Sequence, residues 1–364
     1  MDLLIAITVF FLVLRLAVAF FNSITPTHLQ FGWLSSEERI SILIPARNEA
    51  ANIANLLNDL SKQDYRQFEI LVLDDGSSDQ TAEIVRSFCT TELRCRLIKG
   101  QELPPGWMGK NWACHQLAGQ ATGDYFLFLD ADVSINGPLL SSALSRMKSK
   151  KLALLSLFPG QDMKTAGEWL VVPLMHYLLL SMLPLCFIEW LKYPSLAAAN
   201  GQFMLFQAKH YRTANWHSQA RGKVTEDIEI MKLVKRARLK GATLLENNFI
   251  RCRMYMGFGE AVNGFSKNLL AGFGGSIFNL LSYLYLTVFS YAFLFYAGYW
   301  QLALFMLLAI IFLRSLISAM ADQNPLWNVL LHVFQVVVLL YIAARSIAGK
   351  FFGNITWKGR KVRS

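Results

Sequence analysis

Long apolar runs at both ends constrain what this chain can fold into. Residues Leu3–Phe21 are nearly all apolar, with Arg15 as the only charge, and from Ile277 the chain is apolar almost to Ala348. A helix of ~20 apolar residues crosses a ~30 Å hydrocarbon core, and both runs are long enough to supply such helices. The region between the runs carries most of the Asp and Glu. We therefore expect one domain of the soluble type, held by membrane helices.

The composition excludes an ordinary soluble enzyme, because 54% of the 364 residues are hydrophobic and only 16% are charged. The net charge is +10, and much of it lies in Lys223–Lys240 and Lys350–Arg363. Such basic segments suit an anionic lipid surface. Nucleic acid is the other common partner of a basic protein, but the sequence has no nucleic-acid-binding motif. We expect the membrane bilayer, and no nucleic acid, as a partner.

The five cysteines indicate which side of the membrane the domain faces. Their number is odd and their spacing does not match a metal site. Reduced, structural thiols are typical of the cytosol. We therefore expect the domain between the apolar runs to lie on the cytosolic side of the membrane.

The first apolar run has two interpretations. Ala17-Val18-Ala19 resembles the cleavage site of a secretory signal peptide. A signal peptide begins with a positive patch, whereas the only early charged side chain here is Asp2. We predict an uncleaved transmembrane anchor over residues 1–24.

The C-terminal membrane region, residues 276–349, divides at polar breaks into three stretches. These are Ile277–Tyr296, Leu302–Met320 and Leu326–Ala348. The basic tail, residues 350–364, should stay cytosolic, yet three full crossings from a cytosolic domain would place it outside. One stretch is therefore expected to be re-entrant, interfacial or half-length. His332 and Gln335 point to the last stretch, since such groups avoid lipid unless partnered.

Strand-like and helix-like patterns alternate in the middle of the chain, which we take as one domain over residues 38–268. The expected strands are Ile40–Pro45, Phe68–Leu73, Cys95–Lys99 and the run that begins at Phe126. The expected helices are Asn52–Leu60, Gln80–Phe88, Trp112–Ala121 and Ile228–Arg238. This alternation predicts an α/β fold with a mostly parallel sheet and helices on both faces.

The apolar stretch Glu168–Trp190 interrupts this pattern. A crossing there would separate the acidic residues before it from those after it, and the stretch contains Pro173 and Pro184. We expect an amphipathic hairpin over residues 168–190 that lies in the membrane interface. The alternative is a buried core helix of the soluble domain.

Four acidic motifs lie along the middle of the chain. They are Pro45-Ala46-Arg47-Asn48-Glu49, Asp74-Asp75, Asp130-Ala131-Asp132 and Thr225-Glu226-Asp227. The first three follow expected strands, and ligands of open α/β sheets bind at the carboxyl ends of strands. Carboxylates placed there can hold a divalent cation, which can hold a diphosphate. Each motif alone could be a turn or a helix start, but together they indicate a site.

This set of motifs resembles the family 2 glycosyltransferases with a GT-A fold, over roughly Ile40 to Asn268. The resemblance implies a nucleotide-sugar-binding domain with a mixed, mostly parallel sheet. It also implies that Pro45 and Glu49 contact the base or ribose of the nucleotide and that Asp75 binds the uracil edge.

The same resemblance implies the chemistry of transfer. Asp130 and Asp132 would engage the diphosphate through Mg²⁺ or Mn²⁺, and Asp227 of the Glu226-Asp227 pair would be the general base. A cation neutralises the charge that builds on the leaving diphosphate, and a carboxylate takes the proton of the acceptor hydroxyl. One-step displacement then inverts the anomeric centre. A glycosidase would instead need two carboxylates flanking the bond.

Two further motifs indicate which branch of the family 2 glycosyltransferases the chain resembles. Residues 106–113, Gly-Trp-Met-Gly-Lys-Asn-Trp-Ala, resemble a loop of carotenoid and hopanoid-associated glycosyltransferases. By that resemblance Lys110 contacts the diphosphate, with a solvated lysine as the alternative. Residues 200–202, Asn-Gly-Gln, resemble the glycine-bearing motif of the family, so that Gly201 and Gln202 would line the sugar pocket.

Motifs near the membrane segments point to the acceptor. Processive polysaccharide synthases carry Gln-x-x-Arg-Trp where this chain has the segments that contain Arg253 and Lys267, so single transfer is favoured. Residues 357–360, Trp-Lys-Gly-Arg, resemble the Trp-Arg-Gly-Arg tail of lipid glycosyltransferases. This implies that Arg253, Lys267, Trp357 and Arg360 serve the lipid acceptor. The alternative for the tail is a basic topology signal.

The sequence therefore predicts an integral membrane, metal-dependent, inverting hexosyltransferase that moves one hexose from a UDP-sugar to a lipid at the cytosolic face. A carotenoid or hopanoid-type terpenoid fits the loop resemblance best. Diacylglycerol or a ceramide-like lipid is the next alternative, and polyprenyl phosphate follows. A degenerate transferase domain that serves as a scaffold is the non-enzymatic alternative, which the filled acidic positions disfavour.

Overall fold

The computed structural model describes residues 2–33, 36–352, 355–357 and 360–362. It divides the chain into two compact units. The sheet unit consists of Pro26–Asp162 and Leu185–Arg253. The helical unit consists of Met1–Thr25, Met163–Pro184 and Met254–Ser364.

Strands and helices alternate through the sheet unit, whereas helices predominate in the other unit. The strands are β1 (Ile40–Ala46), β2 (Phe68–Asp74), β3 (Cys95–Lys99), β4 (Tyr125–Leu129), β5 (Val133–Ile135), β6 (Leu154–Phe158), β7 (Gly160–Gln161), β8 (Phe203–Gln207), β9 (Gly241–Leu245), β10 (Ile250–Cys252), β11 (Ile355–Trp357) and β12 (Arg360–Val362). The α-helices are α1 (Asp2–Ile24), α2 (Ile53–Ser61), α3 (Thr81–Thr91), α4 (Gly109–Gln120), α5 (Leu139–Lys150), α6 (Ala166–Val171), α7 (Pro173–Met182), α8 (Leu185–Trp190), α9 (Ala208–Ala214), α10 (Trp216–Gln219), α11 (Glu226–Arg236), α12 (Phe258–Gly272), α13 (Ile277–Leu284), α14 (Ser290–Tyr296), α15 (Trp300–Met320), α16 (Pro325–Leu330) and α17 (His332–Phe352). A 3-10 turn spans Pro194–Leu196, and a π-helical segment spans Tyr285–Phe289.

A seven-stranded sheet forms the core of the sheet unit, in the order β3-β2-β1-β4-β8-β6-β9. Strand β8 runs antiparallel to both neighbours, and the other pairs are parallel. The central strands are continuous apolar runs because both faces of the sheet are covered. The expected α/β fold with a mixed, mostly parallel sheet is thus confirmed.

The register of the sheet brings several chain segments to one edge. Ala46 at the end of β1 pairs with Asp74 at the end of β2. Leu129 at the end of β4 pairs with Phe203, the first residue of the reversed strand β8. The residues that follow β1, β2 and β4 therefore share an edge with those that precede β8.

A smaller sheet consists of β5, β10 and β7. Its strand β5 follows the end of β4 closely in sequence. It pairs Cys252 with Val133 on one side and with Gln161 on the other. The smaller sheet therefore begins one residue after Asp132.

Most predicted elements match the structure, and Cys95–Lys99 has the predicted bounds. Two differences matter for function. Helix α4 begins at Gly109, three residues before the predicted start, so it includes Lys110. Helix α11 begins at Glu226 instead of Ile228, so both acidic residues lie in its first turn.

In the described part of the helical unit, four helical segments are long and apolar enough to cross a membrane. They are Asp2–Ile24, Ile277–Tyr296, Trp300–Met320 and His332–Phe351. The second contains the π-helical segment, and the predicted stretch Leu326–Ala348 is divided at Leu331 into α16 and α17. Gln335, which drew suspicion to this stretch, has a partner within the helical unit, since its amide donates to Trp169 O at 2.8 Å. Which segments cross fully stays a prediction.

The stretch Glu168–Trp190 forms three helices, with breaks at its two prolines. Helix α6 begins with a reciprocal cap in which Thr165 and Glu168 bond each other's backbone N–H. Helices α6 and α7 belong to the helical unit, and α8 belongs to the sheet unit. The interfacial position of this stretch stays a prediction.

Candidate active site

An amine and two carboxylates form the centre of the acidic edge. Lys110 Nζ lies 2.6 Å from Asp130 Oδ1 and 3.7 Å from Glu226 Oε1. It also donates to Gly201 O at 3.2 Å. Three segments that are distant in sequence therefore meet at one ammonium group.

Gly201 provides room at this centre. A Cβ on Gly201 would lie 3.1 Å from Lys110 Nζ and 3.3 Å from Glu226 Oε1. Asp130 N donates to Gln202 O at 3.2 Å, which joins the end of β4 to the segment before β8. The backbone of this segment can approach the charged groups because residue 201 has no side chain.

The protonation of Lys110 follows from its partners. Burial lowers the pKa of the Lys110 ammonium, but the charges of Asp130 and Glu226 more than offset it, so that the pKa is raised. The group remains a cation across the physiological range.

Asp227 lies beside this cluster and has a different environment. Its Oδ2 accepts a hydrogen bond from Gly201 N at 3.0 Å, and its Oδ1 accepts one from Ile228 N at 2.8 Å. Burial, followed by the charge of Glu226, raises the pKa of Asp227 to about 7, although the two hydrogen bonds and Lys110 act in the opposite direction. A carboxylate with a pKa near neutrality is suited to accept a proton from a substrate.

Asn111 holds the segment that leads into these acidic residues. Its side chain is 1% exposed, and its Nδ2 donates to the carbonyl oxygens of Ala220, Arg221 and Lys223 at 3.0, 3.2 and 3.2 Å. Met108 N donates to Arg221 O at 2.8 Å. Residues 106–113 are therefore fastened to residues 220–223, which precede α11.

Asp132 lies at the junction with the smaller sheet. Burial, followed by the charge of Asp132, raises the pKa of the Cys252 thiol well above its usual value. Gln202 Nε2 approaches Cys252 Sγ at 2.8 Å. Gln202 and Asp132 therefore both lie near the thiol of Cys252.

Asp130 and Asp132 carry the type of donor that a divalent cation shared with a ligand would need, and their role as metal ligands stays a prediction. Across the residues that the structure describes, no group of three or more His, Cys, Asp or Glu could hold a metal ion by itself. Two carboxylates supply the hard oxygen donors that Mg²⁺ and Mn²⁺ prefer, and phosphate oxygens and water would complete the coordination. Lys110 already places positive charge against Asp130.

The predicted nucleotide-binding residues lie at the ends of β1 and β2. Arg47 Nη1 donates to Asp75 O at 3.0 Å and lies 3.6 Å from Asp75 Oδ2. Glu49 is 9% exposed, and its Oε2 accepts from Asn52 Nδ2 at 3.0 Å, so it also stabilises the start of α2. Pro45 is partly exposed on β1. All three predicted residues are therefore near the edge, and their nucleotide contacts stay predictions.

The predicted acceptor residues are spread along the chain. Arg253 follows β10 in the sheet unit, and Lys267 lies on α12 in the helical unit. Trp357 and Arg360 pair in the β11–β12 ladder, while Lys358 and Gly359 lie outside the described residues. The roles proposed for these four positions stay predictions.

Sequence reasoning missed Asn111 and Cys252. Asn111 lies next to Lys110 in the motif at residues 106–113, and this position was the one available sign of a role. Its three backbone partners are about 110 residues away in sequence, so they could not be identified from the sequence. Cys252 carried no sequence signal, because only the pairing of β5 with β10 brings it beside Asp132.

Comparison with known families identifies the domain. Residues 41–194 match the family described as "Glycosyl transferase family 2". The match covers most of the sheet unit's first segment and continues into Met163–Pro184 of the helical unit. It agrees with the resemblance that the sequence motifs indicated.

Two curated relatives share this similarity. The chain is 29% identical over 238 residues to the 4,4'-diaponeurosporenoate glycosyltransferase of Staphylococcus haemolyticus (strain JCSC1435). These residues make up 65% of this chain and 62% of the relative. The corresponding protein of Staphylococcus aureus (strain USA300) is 33% identical over 99 residues, which cover 27% of this chain and 25% of that protein. The matched region thus spans less than two thirds of the relatives' length.

A solved structure shows the same fold over nearly the whole chain. The mannosyltransferase PcManGT from Pyrobaculum calidifontis, in complex with GDP-Man and Mn²⁺, has a TM-score of 0.57 and 16% sequence identity. The match covers 97% of this chain and 98% of that one. The expected GT-A-like fold is thereby confirmed.

Proposed function

We propose that this chain, which carries a family 2 glycosyltransferase domain, transfers a single hexose from a nucleotide sugar to a membrane lipid. The observation that carries the proposal is the arrangement at the carboxyl edge of the sheet. Asp130, Lys110 and Glu226 form a charged cluster, and Asp227 lies beside it with its pKa raised to about 7. The cluster suits a diphosphate, and the raised carboxylate suits a proton acceptor.

The donor is a nucleoside diphosphate sugar. Asp130 and Asp132 would hold Mg²⁺ or Mn²⁺, which would neutralise the charge that develops on the leaving diphosphate. Lys110 adds a positive charge at the same place, and it can exchange Asp130 for a phosphate oxygen because its side chain is 36% exposed. The motif at Pro45, Glu49 and Asp75 favours UDP, whereas PcManGT was solved with GDP-Man and Mn²⁺, so both nucleotides belong in the test.

Asp227 is the general base of the proposed reaction. It would take the proton of an acceptor hydroxyl while the acceptor oxygen attacks the anomeric carbon from the face opposite the diphosphate. The sugar would therefore be transferred with inversion. Glu226 would hold Lys110 through its opposite charge, and it helps to raise the pKa of Asp227 through its like charge.

The acceptor is a hydrophobic lipid, and we favour a carotenoid-type terpenoid. Four helical segments are long and apolar enough for a membrane, and the relatives are named for diaponeurosporenoate. We place the reaction at the cytosolic face of a bacterial cell membrane. Hopanoid-type terpenoids, diacylglycerol, ceramide-like lipids and polyprenyl phosphate are the acceptors to compare.

The test is a transfer assay with the full-length protein in detergent and Mn²⁺. UDP-sugars and GDP-sugars are offered with a carotenoid acid, a carotenoid alcohol, diacylglycerol and polyprenyl phosphate, and products are detected by mass spectrometry. We expect one lipid to gain the mass of one hexose. The product should be absent with Asp227→Asn and present with Glu229→Gln, a control on the same helix whose carboxylate pairs with Arg236 at 3.0 Å. Failure to bind or consume any nucleotide sugar would favour the scaffold alternative.

A further inference from the structure

We propose that Cys89 and Cys95 form a reversible disulfide within the sheet unit, with a small-molecule disulfide as the oxidant. Both cysteines belong to that unit and are free thiols in the structure. The proposal concerns a modification site and does not depend on the transfer reaction.

The two thiols are in direct contact. Cys89 Sγ lies 2.8 Å from Cys95 Sγ. Cysteines whose side chains point apart cannot be joined without movement of the backbone. These two side chains point towards each other, so a disulfide requires only rotation about their side-chain bonds.

The short connection between α3 and β3 holds the thiols in this position. Cys89 lies in the last turn of α3, and Cys95 is the first residue of β3. Cys95 N donates to Glu92 O at 2.9 Å, and the Glu92 carboxylate pairs with Arg94 at 2.7 Å. The guanidinium carbon of Arg94 lies 4.1 Å from the ring centroid of Phe68 on β2. None of these contacts involves sulfur, so the thiols are positioned before any bond forms between them.

The pair lies at an edge of the large sheet that solvent reaches. Strand β3 is the outermost strand of that sheet, and Leu93, between the two cysteines in sequence, is 90% exposed. Cys89 is partly exposed, whereas Cys95 is 5% exposed. A small disulfide from solvent therefore meets Cys89 first.

The ionisation of Cys95 supports this order. Thiolates, and not thiols, attack disulfides. Burial, followed by a hydrogen bond with Cys89 and by the charge of the Cys89 thiolate, raises the pKa of the Cys95 thiol. Cys95 therefore stays protonated while Cys89 is free. The two contributions from Cys89 are lost once Cys89 is bonded to another sulfur, which makes Cys95 the second nucleophile.

The reaction consists of two thiol–disulfide exchanges. The Cys89 thiolate attacks one sulfur of an external disulfide, forms a mixed disulfide and releases one thiolate. The Cys95 thiol then loses its proton to solvent, and its sulfur attacks Cys89 Sγ and releases the second thiolate. The two cysteines lose two electrons and two protons in total, and the external disulfide is reduced to two thiols.

A reversible disulfide agrees with the cytosolic position that we expect for the sheet unit. Disulfides of cytosolic proteins are usually transient and redox-sensing, whereas stable ones are rare there. The pair is therefore expected to be reduced in the resting protein and to be oxidised when the ratio of disulfides to thiols rises.

The other three cysteines provide the reference for a test. Cys114 and Cys252 are each 1% exposed, so they are shielded from an oxidant in the folded protein. Cys186 is partly exposed, as Cys89 is, and it also lies in the sheet unit. Cys186 is therefore the matched control position.

The test uses the full-length protein in detergent, first reduced with dithiothreitol and then freed of it. Glutathione disulfide is added, the remaining thiols are blocked with N-ethylmaleimide during denaturation, and the intact mass and the tryptic peptides are measured. We expect two of the five thiols to escape blocking. Trypsin cleaves after Arg94, between the two cysteines, so a disulfide keeps the resulting peptides joined and dithiothreitol separates them.

Cys89→Ser removes one partner of the pair. It should give no joined peptides, and all its remaining thiols should be blocked. Cys186→Ser should form the disulfide as the unaltered protein does. The peptide map of the unaltered protein tests the proposal independently of whether either variant folds.

Three results would overturn the proposal. The first is the blocking of all five thiols after treatment with glutathione disulfide. The second is glutathione that remains bonded to Cys89 without formation of a bond to Cys95. The third is a joined peptide pair that occurs only between two protein molecules, which a gel without reducing agent would reveal.

Discussion

Lys110 in the sheet unit and Arg15 in the helical unit are both enclosed cations, but their surroundings are opposite. Lys110 lies against the carboxylates of Asp130 and Glu226. Arg15 lies against tyrosine rings and a serine hydroxyl. One cation is paired with carboxylates, and the other has no carboxylate partner in the described part of the chain.

The difference shows how each unit can receive a charged ligand. At Lys110, a diphosphate and its cation can exchange partners with groups that are already ionic, so the local charge stays balanced. At Arg15 the neighbours are aromatic rings and a hydroxyl, so no such exchange of ionic partners is available. Variants of the sheet unit should therefore change rates, whereas variants of the helical unit should change stability.

The largest effect is expected for Asp227→Asn. Loss of a general base lowers the rate by about 10²–10⁴-fold. Nucleotide binding should remain close to that of the unaltered protein, because the role we propose for Asp227 is at the acceptor hydroxyl and not at the nucleotide. Transfer assays combined with nucleotide titration measure both quantities. Loss of nucleotide binding would assign Asp227 to the donor instead.

The pH dependence should be the next largest effect. Burial raises the pKa of Asp227 to about 7, and a general base acts when ionised, so transfer to a hydroxyl acceptor should rise with pH up to about 7 and level off above it. The charge of Lys110 opposes this shift, so Lys110→Gln should move the rise to higher pH. A pH–rate profile for each protein tests this. A flat profile with a carboxylate acceptor would show that this acceptor needs no base.

Asn111→Ala should have an intermediate effect. The substitution removes three hydrogen bonds to the segment before α11, and unsatisfied buried groups cost about 1–3 kcal/mol. We expect a lower free energy of unfolding and a lower kcat, because Glu226 and Asp227 follow this segment. Gln120→Ala, at the exposed end of the same helix, is the control. Equal kcat values would separate the segment from catalysis.

Ser318→Ala should have the smallest effect. Ser318 Oγ accepts from Asn328 Nδ2 at 2.9 Å within the helical unit, and such bonds between membrane helices contribute about 0.6 kcal/mol on average. Ser315→Ala is a matched control, since Ser315 bonds only to Ile311 O of its own helix in the described structure. Thermal unfolding in nanodiscs should show a small loss for the first variant alone. An effect of several kcal/mol would mean that the polar groups act as one cooperative network.

Local patterns predicted four of the seven strands of the sheet and the order of the acidic residues that follow them, because buried strands leave apolar runs that end in turns. The first residue of α11 was harder to predict from the sequence, because Glu226 and Asp227 are compatible both with a loop turn and with the first turn of a helix. The partners of Lys110 could not be deduced from spacing. Asp130 and Glu226 reach it only because the reversed strand β8 places Gly201 beside the end of β4.

In the helical unit, hydropathy located the apolar segments but not the interruption at Leu331. Asn324 initiates α16 by accepting a bond from Trp327 N, which creates a separate short helix. Nor did hydropathy show that Arg15 and Arg314 would share Tyr177. Such pairings depend on how helices pack, which a single sequence does not specify.

Gly201 has a consequence for how this protein can vary in evolution. Every amino acid that replaces glycine adds a Cβ, and here it would lie 3.1 Å from Lys110 Nζ and 3.3 Å from Glu226 Oε1. A substitution at this position should therefore displace the Lys110 amine or the Glu226 carboxylate by a few tenths of an ångström, which should lower activity more than it lowers stability. In a library screened separately for expression and for pigment or glycolipid formation, residue 201 should tolerate alanine in the first screen and fail in the second.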